Sequence, residues 1–370
     1  MNRRSFLCTA SAAALPPAKF RAALIGHTGR GNYGHDWDAA FKGFPNVEVV
    51  AVADPDDAGR AKAKARSGAA RDYRDYREML EREKPNVVAI CTRWLDQRVP
   101  MFTAVAAAGA HILLEKPFAA TLEEADRMVD AAARARIKVQ VGHTARPHPI
   151  TLQVRRMVEE GVIGRLMEMR ARGKEDRRAG GEDLIVLGSH CFDLMRLFAG
   201  DPQWVFANVA AAGRDVTPAD ARKPTEPVGP VFGDDVAAIF GFPGGVRGYF
   251  NSKASDVPNN GRFGITLYGS KGAIWIPLTS VPSDPASILR STSWGDGAWT
   301  RIEPPPGASG DRHAANALMV SGLLEAIEQD HEPACSARDG RWPIEMVAGI
   351  YQSHFAGARL PFPLSRRRTV

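Results

Sequence analysis

Cysteine is scarce in this chain: Cys8, Cys91, Cys191 and Cys335 are the 4 in 370 residues. Their spacing fits neither a C-x-x-C redox pair nor a metal finger, so no disulfide scaffold and no metal site is expected. The last three read as small buried hydrophobes. Long apolar runs are missing as well. The best stretch, Met101 to Leu114, is broken by Gly109 and His111, short of the roughly 18 residues a membrane span needs. A soluble chain without a membrane span is expected. No heptad or G-X-Y period and no internal repeat runs through the sequence, and 44% hydrophobic against 24% charged residues excludes disorder. Charge of one sign is also in short supply. The net charge is +6, but Arg3, Arg4, Arg366, Arg367 and Arg368 lie at the two ends and account for nearly all of it. A nucleic-acid binder concentrates Lys and Arg on a folded face. No nucleic-acid partner is expected.

The first 18 residues read as an address. Asn2-Arg3-Arg4-Ser5-Phe6-Leu7, then a mild apolar stretch to Leu15 and small residues, resembles a twin-arginine export leader. Export in the folded state, to the periplasm, is the expectation; a cytoplasmic location follows if the leader does not function.

From Phe20 short apolar runs alternate with helical segments. The runs are Phe20–Ile25, Val47–Ala53, Asn86–Cys91, His111–Leu114 and Lys138–Val141. They are rich in Val and Ile, as strands buried on both faces should be. Thr121-Leu122-Glu123-Glu124 is a capping box opening one of the intervening helices. This alternation predicts an α/β fold beginning with a Rossmann-type, doubly wound parallel sheet over residues 19–143. After His143 the pattern changes to longer β-like segments joined by Pro243-Gly244-Gly245 and Gly269-Ser270-Lys271-Gly272, which is hairpin turn chemistry. A second α/β domain with an open, mainly antiparallel sheet is expected over 144–370, with helices at Ala314–Glu328 and Ile344–Phe355.

Three motifs carry chemistry. In Ile25-Gly26-His27-Thr28-Gly29-Arg30-Gly31 a buried strand runs into glycines, and a helix after them would lay a diphosphate on its N-terminus. Thr28 stands where the second glycine of the usual fingerprint would be. Asp54 follows Gly31 by 23 residues at the next strand's end, where a carboxylate binds a ribose hydroxyl and repels a 2′-phosphate. NAD is therefore expected over NADP. The second motif, Glu115-Lys116-Pro117, puts a lysine at a strand's carboxyl edge, where it could bind a substrate hydroxyl. The third is Gly188-Ser189-His190-Cys191-Phe192-Asp193, in which His190 and Asp193 share a helix face at i and i+3. A histidine there can take a hydroxyl proton as a hydride leaves the same carbon, with Asp193 orienting the ring.

Together with Val141-Gly142-His143 and Gly161-Val162-Ile163-Gly164-Arg165-Leu166, these motifs resemble the Gfo/Idh/MocA family of sugar and polyol oxidoreductases from about Phe20 to Leu364. The resemblance implies that Lys116 and His190 are the catalytic pair and that the Lys116–Pro117 peptide is cis. Gly26, Thr28, Gly29, Arg30, Gly31, Asp54, Thr92, Glu115 and Lys116 form the expected NAD contacts. One departure matters: many family dehydrogenases carry an aspartate four residues before the histidine, and here that residue is Val186. Either Glu182 or Asp183 is expected to reach in instead, or the chemistry differs from the standard member; Lys174, in the charged Arg172–Arg178 segment, is the expected rim of a substrate site with Lys116 and His190.

The function expected is hydride transfer at a hydroxyl-bearing carbon of a sugar, sugar acid or glycoside, with a tightly held, recycled cofactor. Two alternatives stand beside it. One is glycoside cleavage by transient oxidation, elimination and return of the hydride; the other is a silent sugar-binding homologue. A small carbohydrate is the expected ligand, and a dimer or tetramer the expected assembly.

Overall fold

The computed structural model describes residues 19–255, 262–278, 285–292, 297–306, 308 and 311–365. The leader and the Arg366–Arg368 cluster lie outside the described residues. The first sheet has six parallel strands: β1 (Phe20–Ile25), β2 (Val47–Ala53), β3 (Arg71–Tyr73), β4 (Val87–Ile90), β5 (His111–Leu114) and β6 (Val139–Val141). Their order is β3-β2-β1-β4-β5-β6. Reversal of direction between β1 and β4 opens a crevice at the carboxyl ends, the place where such sheets bind ligands. Four helices connect the strands: α1 (Asp57–Ser67), α2 (Tyr76–Glu83), α3 (Arg98–Ala107) and α4 (Leu122–Ala135). Thr121 caps α4 by accepting from the Glu124 amide at 3.2 Å, while the Glu124 carboxylate reaches back to the Ala120 amide at 3.1 Å. The apolar runs of β1, β4 and β5 are almost wholly buried, as the sequence implies. β3, a short Arg-Asp-Tyr edge strand with no apolar residue but the tyrosine, gives no such signal.

Beyond β6, α5 (Pro149–Glu159) leads into β7 (Leu166–Arg172), and α6 (Gly181–Val186) and α7 (Gly188–Ala199) follow. The second sheet then adds β8 (Trp204–Ala211), β9 (Arg214–Asp215), β10 (Asp235–Gly241), β11 (Arg247–Lys253), β12 (Gly264–Gly269), β13 (Gly272–Pro277), β14 (Ser287–Leu289) and β15 (Thr300–Arg301). Helices α8 (Arg312–Glu328) and α9 (Ala337–Ala356) precede a final strand, β16 (Leu360–Pro361). The order is β15-β14-β13-β12-β7-β11-β10-β8-β16, with β9 against β8. Among the described residues of this sheet, only the β11–β7 pair is parallel. Both expected hairpins are present, β10–β11 and β12–β13.

The C-terminal helices do not stay with the second sheet. Met319, Val320, Leu323 and Leu324 of α8 are buried in the core of the first domain. α9 starts well before the expected Ile344 and runs through Pro343. Its start is set by Ser336, whose hydroxyl and amide exchange bonds with Asp339, a capping box that outweighs the proline downstream.

Candidate functional site

The segment after β1 is not a helix. Apart from a short 3₁₀ turn at Trp37–Ala39 and a His27–Asn32 bridge, residues 26–46 are mostly turns. Positive φ at Gly29, Gly31, Asn32, Gly34 and Asp36 breaks any helical run before it starts. The expected helix N-terminus is therefore absent, and most amides of the loop bond within it or to Ala53 and Asp54. Gly31 is required for a steric reason too, since a Cβ there would lie 2.6 Å from the amide nitrogens of Arg93 and Trp94. Two side-chain ties cross the crevice from this loop to the segment after β4. Arg30 forms an ion pair with Asp96, and His27 Nδ1 lies 2.7 Å from Gln97 Oε1.

Asp54 stands at the end of β2 as its spacing implied, but its carboxylate is fully buried beneath the loop. It accepts from the Thr28 amide at 3.0 Å, the Thr28 hydroxyl at 2.8 Å and the Asp56 amide at 2.9 Å. In this arrangement its bonds brace the glycine loop, so a ribose hydroxyl would have to exchange with Thr28. Thr28, at the position of the missing glycine, lies over Gly59, where a Cβ would come within 1.8 Å of its hydroxyl.

Several buried polar atoms around the carboxyl ends of β1, β4 and β5 have no partner: Tyr33 Oη, Thr92 Oγ1, Arg93 Nε and Glu115 Oε1. Unsatisfied buried groups are costly. Their concentration beside the glycine loop fits a dinucleotide rich in hydroxyl, amide and phosphate oxygens.

Glu115 ties the two lips of the crevice together. Its Oε2 accepts from the His35 amide at 3.0 Å, His35 Nδ1 at 2.8 Å and Trp37 Nε1 at 2.7 Å. Burial pushes its pKa up, but His35, Lys116 and Trp37 outweigh that and hold it at about 2. Gly34 is a glycine because a Cβ would meet this carboxylate at 2.2 Å.

Lys116 follows, with the Lys116–Pro117 bond cis. Its side chain is 4% exposed, and its ammonium donates to the backbone oxygen of Val186 at 3.0 Å. Burial lowers its pKa; Glu115 and Glu226 oppose the shift, while Arg178 and Arg93 add to it. Beneath this turn lies Arg98, fully buried. Its guanidinium donates to the carbonyls of Glu115 and Pro117, the latter at 2.8 Å, and to that of Thr92 at 2.5 Å. Burial lowers its pKa to about 10. Nothing in the sequence distinguishes Arg98 from an ordinary residue in the first turn of a helix.

His190 stands on α7 with its Nδ1 buried and unpartnered. Burial, then the charges of Lys116, His143 and His35, push its pKa well below the ordinary value, with Asp193 opposing. The expected hydrogen bond from Asp193 to His190 is not made. Arg146 takes that carboxylate instead, with Nε at 2.9 and 3.0 Å and a terminal nitrogen at 2.7 Å. His143 Nδ1 lies 3.7 Å from Asp193 Oδ1, and the Cys335 thiol 3.9 Å. Burial raises the Asp193 pKa and Arg146 and His143 lower it, with a net shift downward. Helical spacing thus placed the two residues on one helix, but a fork-shaped guanidinium competes better for a carboxylate than an imidazole does.

Glu182 and Asp183 do not replace the carboxylate missing at Val186. Both are fully buried and spent on loops. Glu182 accepts from the Thr225 amide and hydroxyl at 2.9 and 2.5 Å and from the Glu226 amide at 3.0 Å. Asp183 accepts from the Ser252 hydroxyl at 2.7 Å and the Glu175 amide at 3.0 Å, and burial raises its pKa. The Lys174 ammonium is half exposed, 3.7 Å from Asp176. The acid brought near Lys116 is Glu226, paired with Arg178 at 2.9 Å. It comes from an irregular loop in which no periodicity marks it.

His143, Asp193 and Cys335 gather their ligand atoms within 4.8 Å. Arg146 already holds both oxygens of that carboxylate, so a divalent cation would face a guanidinium. Among the described residues no helix is long and apolar enough to cross a membrane.

Two family descriptions match the chain: the Gfo/Idh/MocA oxidoreductase family, NAD-binding Rossmann fold, over residues 20–143, and the GFO/IDH/MocA C-terminal domain over 151–275. The rhizopine catabolism protein MocA of Rhizobium meliloti is 33% identical over 189 residues, 49% of this chain and 58% of that one. The D-apiose dehydrogenase of Paraburkholderia graminis is 32% identical over 213 residues, 54% and 56% of the two chains. The chain thus spans little more than half the length of these curated relatives. A levoglucosan dehydrogenase solved with NADH and levoglucosan shares the fold, with a TM-score of 0.76 at 21% identity over 93% of this chain and 99% of that one.

Proposed function

As the chain belongs to the Gfo/Idh/MocA oxidoreductase family, with an NAD-binding Rossmann domain, we propose that it transfers a hydride to or from a hydroxyl-bearing carbon of a sugar, sugar acid or glycoside. The observation that carries this reading is the buried Lys116 at the end of β5, whose ammonium bonds to the Val186 carbonyl four residues before His190. The ammonium there is held by a carbonyl, and the imidazole is kept neutral by burial and by that ammonium.

Bound NAD would accept or return the hydride. Lys116 binds the reacting oxygen by turning from the Val186 carbonyl, and stabilises the negative charge that grows as the proton leaves. His190, neutral at physiological pH, takes that proton. Arg98 fixes the carbonyls on either side of Lys116, so the ammonium has a defined origin. Val186 contributes no acid, and the basic pair works without one.

The ties Arg30–Asp96 and His27–Gln97 span the crevice and support slow exchange of nucleotide. A cofactor that stays bound and is reoxidised or reduced in place suits a protein exported folded through the twin-arginine route, our reading of residues 1–18. A homo-oligomer through the open face of the second sheet completes the proposal. There Arg170 lies 5.8 and 5.1 Å from the Tyr249 and Tyr268 rings, and exposed Phe206 stands in the same cross-strand row, two strands from Tyr249.

The test is mass spectrometry of the denatured, purified protein for a co-purified nucleotide, followed by incubation with sugars, sugar acids and glycosides. NAD released from the protein, and an oxidised sugar or a paired redox product, support the proposal. Release of an aglycone without net redox moves the assignment to cleavage by transient oxidation. Neither product, with no nucleotide bound, refutes an enzymatic reading.

A further inference from the structure

Hydride transfer as drawn above uses His190 and leaves its neighbour idle. His143, at the end of β6, is 1% exposed, and its ring meets that of His190 edge to face, with centroids 5.3 Å apart and planes at 63°. Its Nδ1 turns away, toward Asp193 Oδ1 at 3.7 Å and Cys335 Sγ at 3.6 Å. That leaves Nε2 of His143 buried with no partner, and Nδ1 of His190 is buried with no partner as well. A single orphaned imidazole nitrogen is unremarkable. Two of them, on rings in contact beside a catalytic lysine, call for a shared proton or one bridging water.

We propose that His190 and His143 form a two-imidazole proton relay, in which His190 takes the hydroxyl proton and His143, backed by Asp193, carries it off. The inference rests on the dehydrogenase reading of the site. In the oxidative direction the C–H electron pair leaves as hydride to the nicotinamide of NAD⁺, and the O–H proton passes to one nitrogen of His190 as the carbonyl forms. A proton on the other nitrogen of His190 passes to Nε2 of His143, so His190 is neutral again and ready for the reverse step. No further oxidant or reductant is needed.

Electrostatics favours that direction. A proton left on His190 faces the Lys116 ammonium with His35 nearby. On His143 it faces a different wall. Asp193 comes from α7, Arg146 from the turn before α5, the Cys335 thiol from the segment before α9, and Asp339 from α9 lies 4.0 Å from Arg146. Burial keeps the thiol protonated, and Asp193 with Arg146 forms a paired floor. The ring nearer a carboxylate holds the charge better than the ring nearer an ammonium.

The experiment is ¹⁵N-imidazole NMR of the purified full-length protein, comparing wild type with His190→Ala and His143→Phe. Removing the His190 ring should change the titration measured for His143. Turnover of His143→Phe should fall at least tenfold at neutral pH, with KM and nucleotide affinity unchanged. The companion His143→Gly should regain part of that loss when imidazole is added, which a merely structural role does not allow. Titrations of His143 that are unaltered by His190→Ala, or a His143→Phe loss that is pH-independent while His143→Gly gains nothing from imidazole, overturn the relay. Coupled titrations in a protein that oxidises no carbohydrate would support the relay and sink the dehydrogenase reading separately.

Discussion

Replacing Glu115 by Gln keeps the shape of the link between the crevice lips and removes its charge. The amide oxygen can still accept from His35 and Trp37, so the loss is the charge-assisted part of those bonds. In the fold this carboxyl is held at about 2 against an ordinary value of 4.5. A depressed carboxyl contributes stability that is complete above its unfolded pKa and is lost as pH falls through the folded one. The shift corresponds to up to about 3 kcal/mol at pH 6–7 for a group only 1% exposed. By pH 3.5 the wild-type advantage should fall to about 2 kcal/mol, and it should vanish below about pH 2. Urea denaturation of both proteins at pH 7, 5 and 3.5, followed by tryptophan fluorescence and circular dichroism together, measures the difference. The reasoning fails if the gap at pH 7 is under about 1 kcal/mol, or if it is the same at all three values. Because Glu115 holds residues 33–37, nucleotide affinity should weaken in the same variant.

Lys116→Met and His190→Ala should each lower turnover by ~10²–10⁴-fold, His190→Ala with nucleotide binding intact, and stopped-flow hydride transfer against nucleotide titration reads the two separately. Losses under about threefold in both would remove them from the chemistry. Arg98→Met leaves three carbonyls without their donor, at a cost of about 3–5 kcal/mol; a melting temperature unchanged within about 2 °C would show that water replaces the guanidinium. NAD should bind more tightly than NADP, since a 2′-phosphate would approach the buried Asp54 carboxylate. Calorimetric titration with both nucleotides decides it, and tighter NADP binding would reverse the argument.

Much of the first sheet was legible because strands buried on both faces must be apolar throughout, and Val47–Ala53 or His111–Leu114 have few other fates. The antiparallel hairpins announced themselves through glycine at their turns. The glycine loop was harder. Its residue types were visible, but positive φ at five of eight successive residues from Gly29 to Asp36 replaced a helix with turns, and no periodicity records such a change. At the candidate site, Lys116 and His190 were singled out by their motifs and by the resemblance, while helical spacing misdirected Asp193, because its partner Arg146 is 47 positions away. Cys335, Arg98 and Glu226 came together only through folding. Glu182 and Asp183 were expected to reach into the substrate site, yet they are buried elsewhere, because loop amides and hydroxyls offset their desolvation.

Helix α9 bears on how such a molecule admits its substrate. Its first turns lie against the parallel sheet, where Gly340 touches Phe118 and Val141 and Arg341 pairs with Asp126 at 2.6 Å. Farther along, Ser353 bonds to β8 of the other sheet at 3.1 and 3.5 Å. One continuous rod is thus mortised into both halves, and α8 before it returns to the first. Swinging the halves apart like a clamshell would have to bend or unseat that rod. Entry and exit therefore fall to the surface segments around the cleft, and a variant with altered loops at 213–233 can change what is admitted without disturbing the beam that keeps Lys116 and His190 in register.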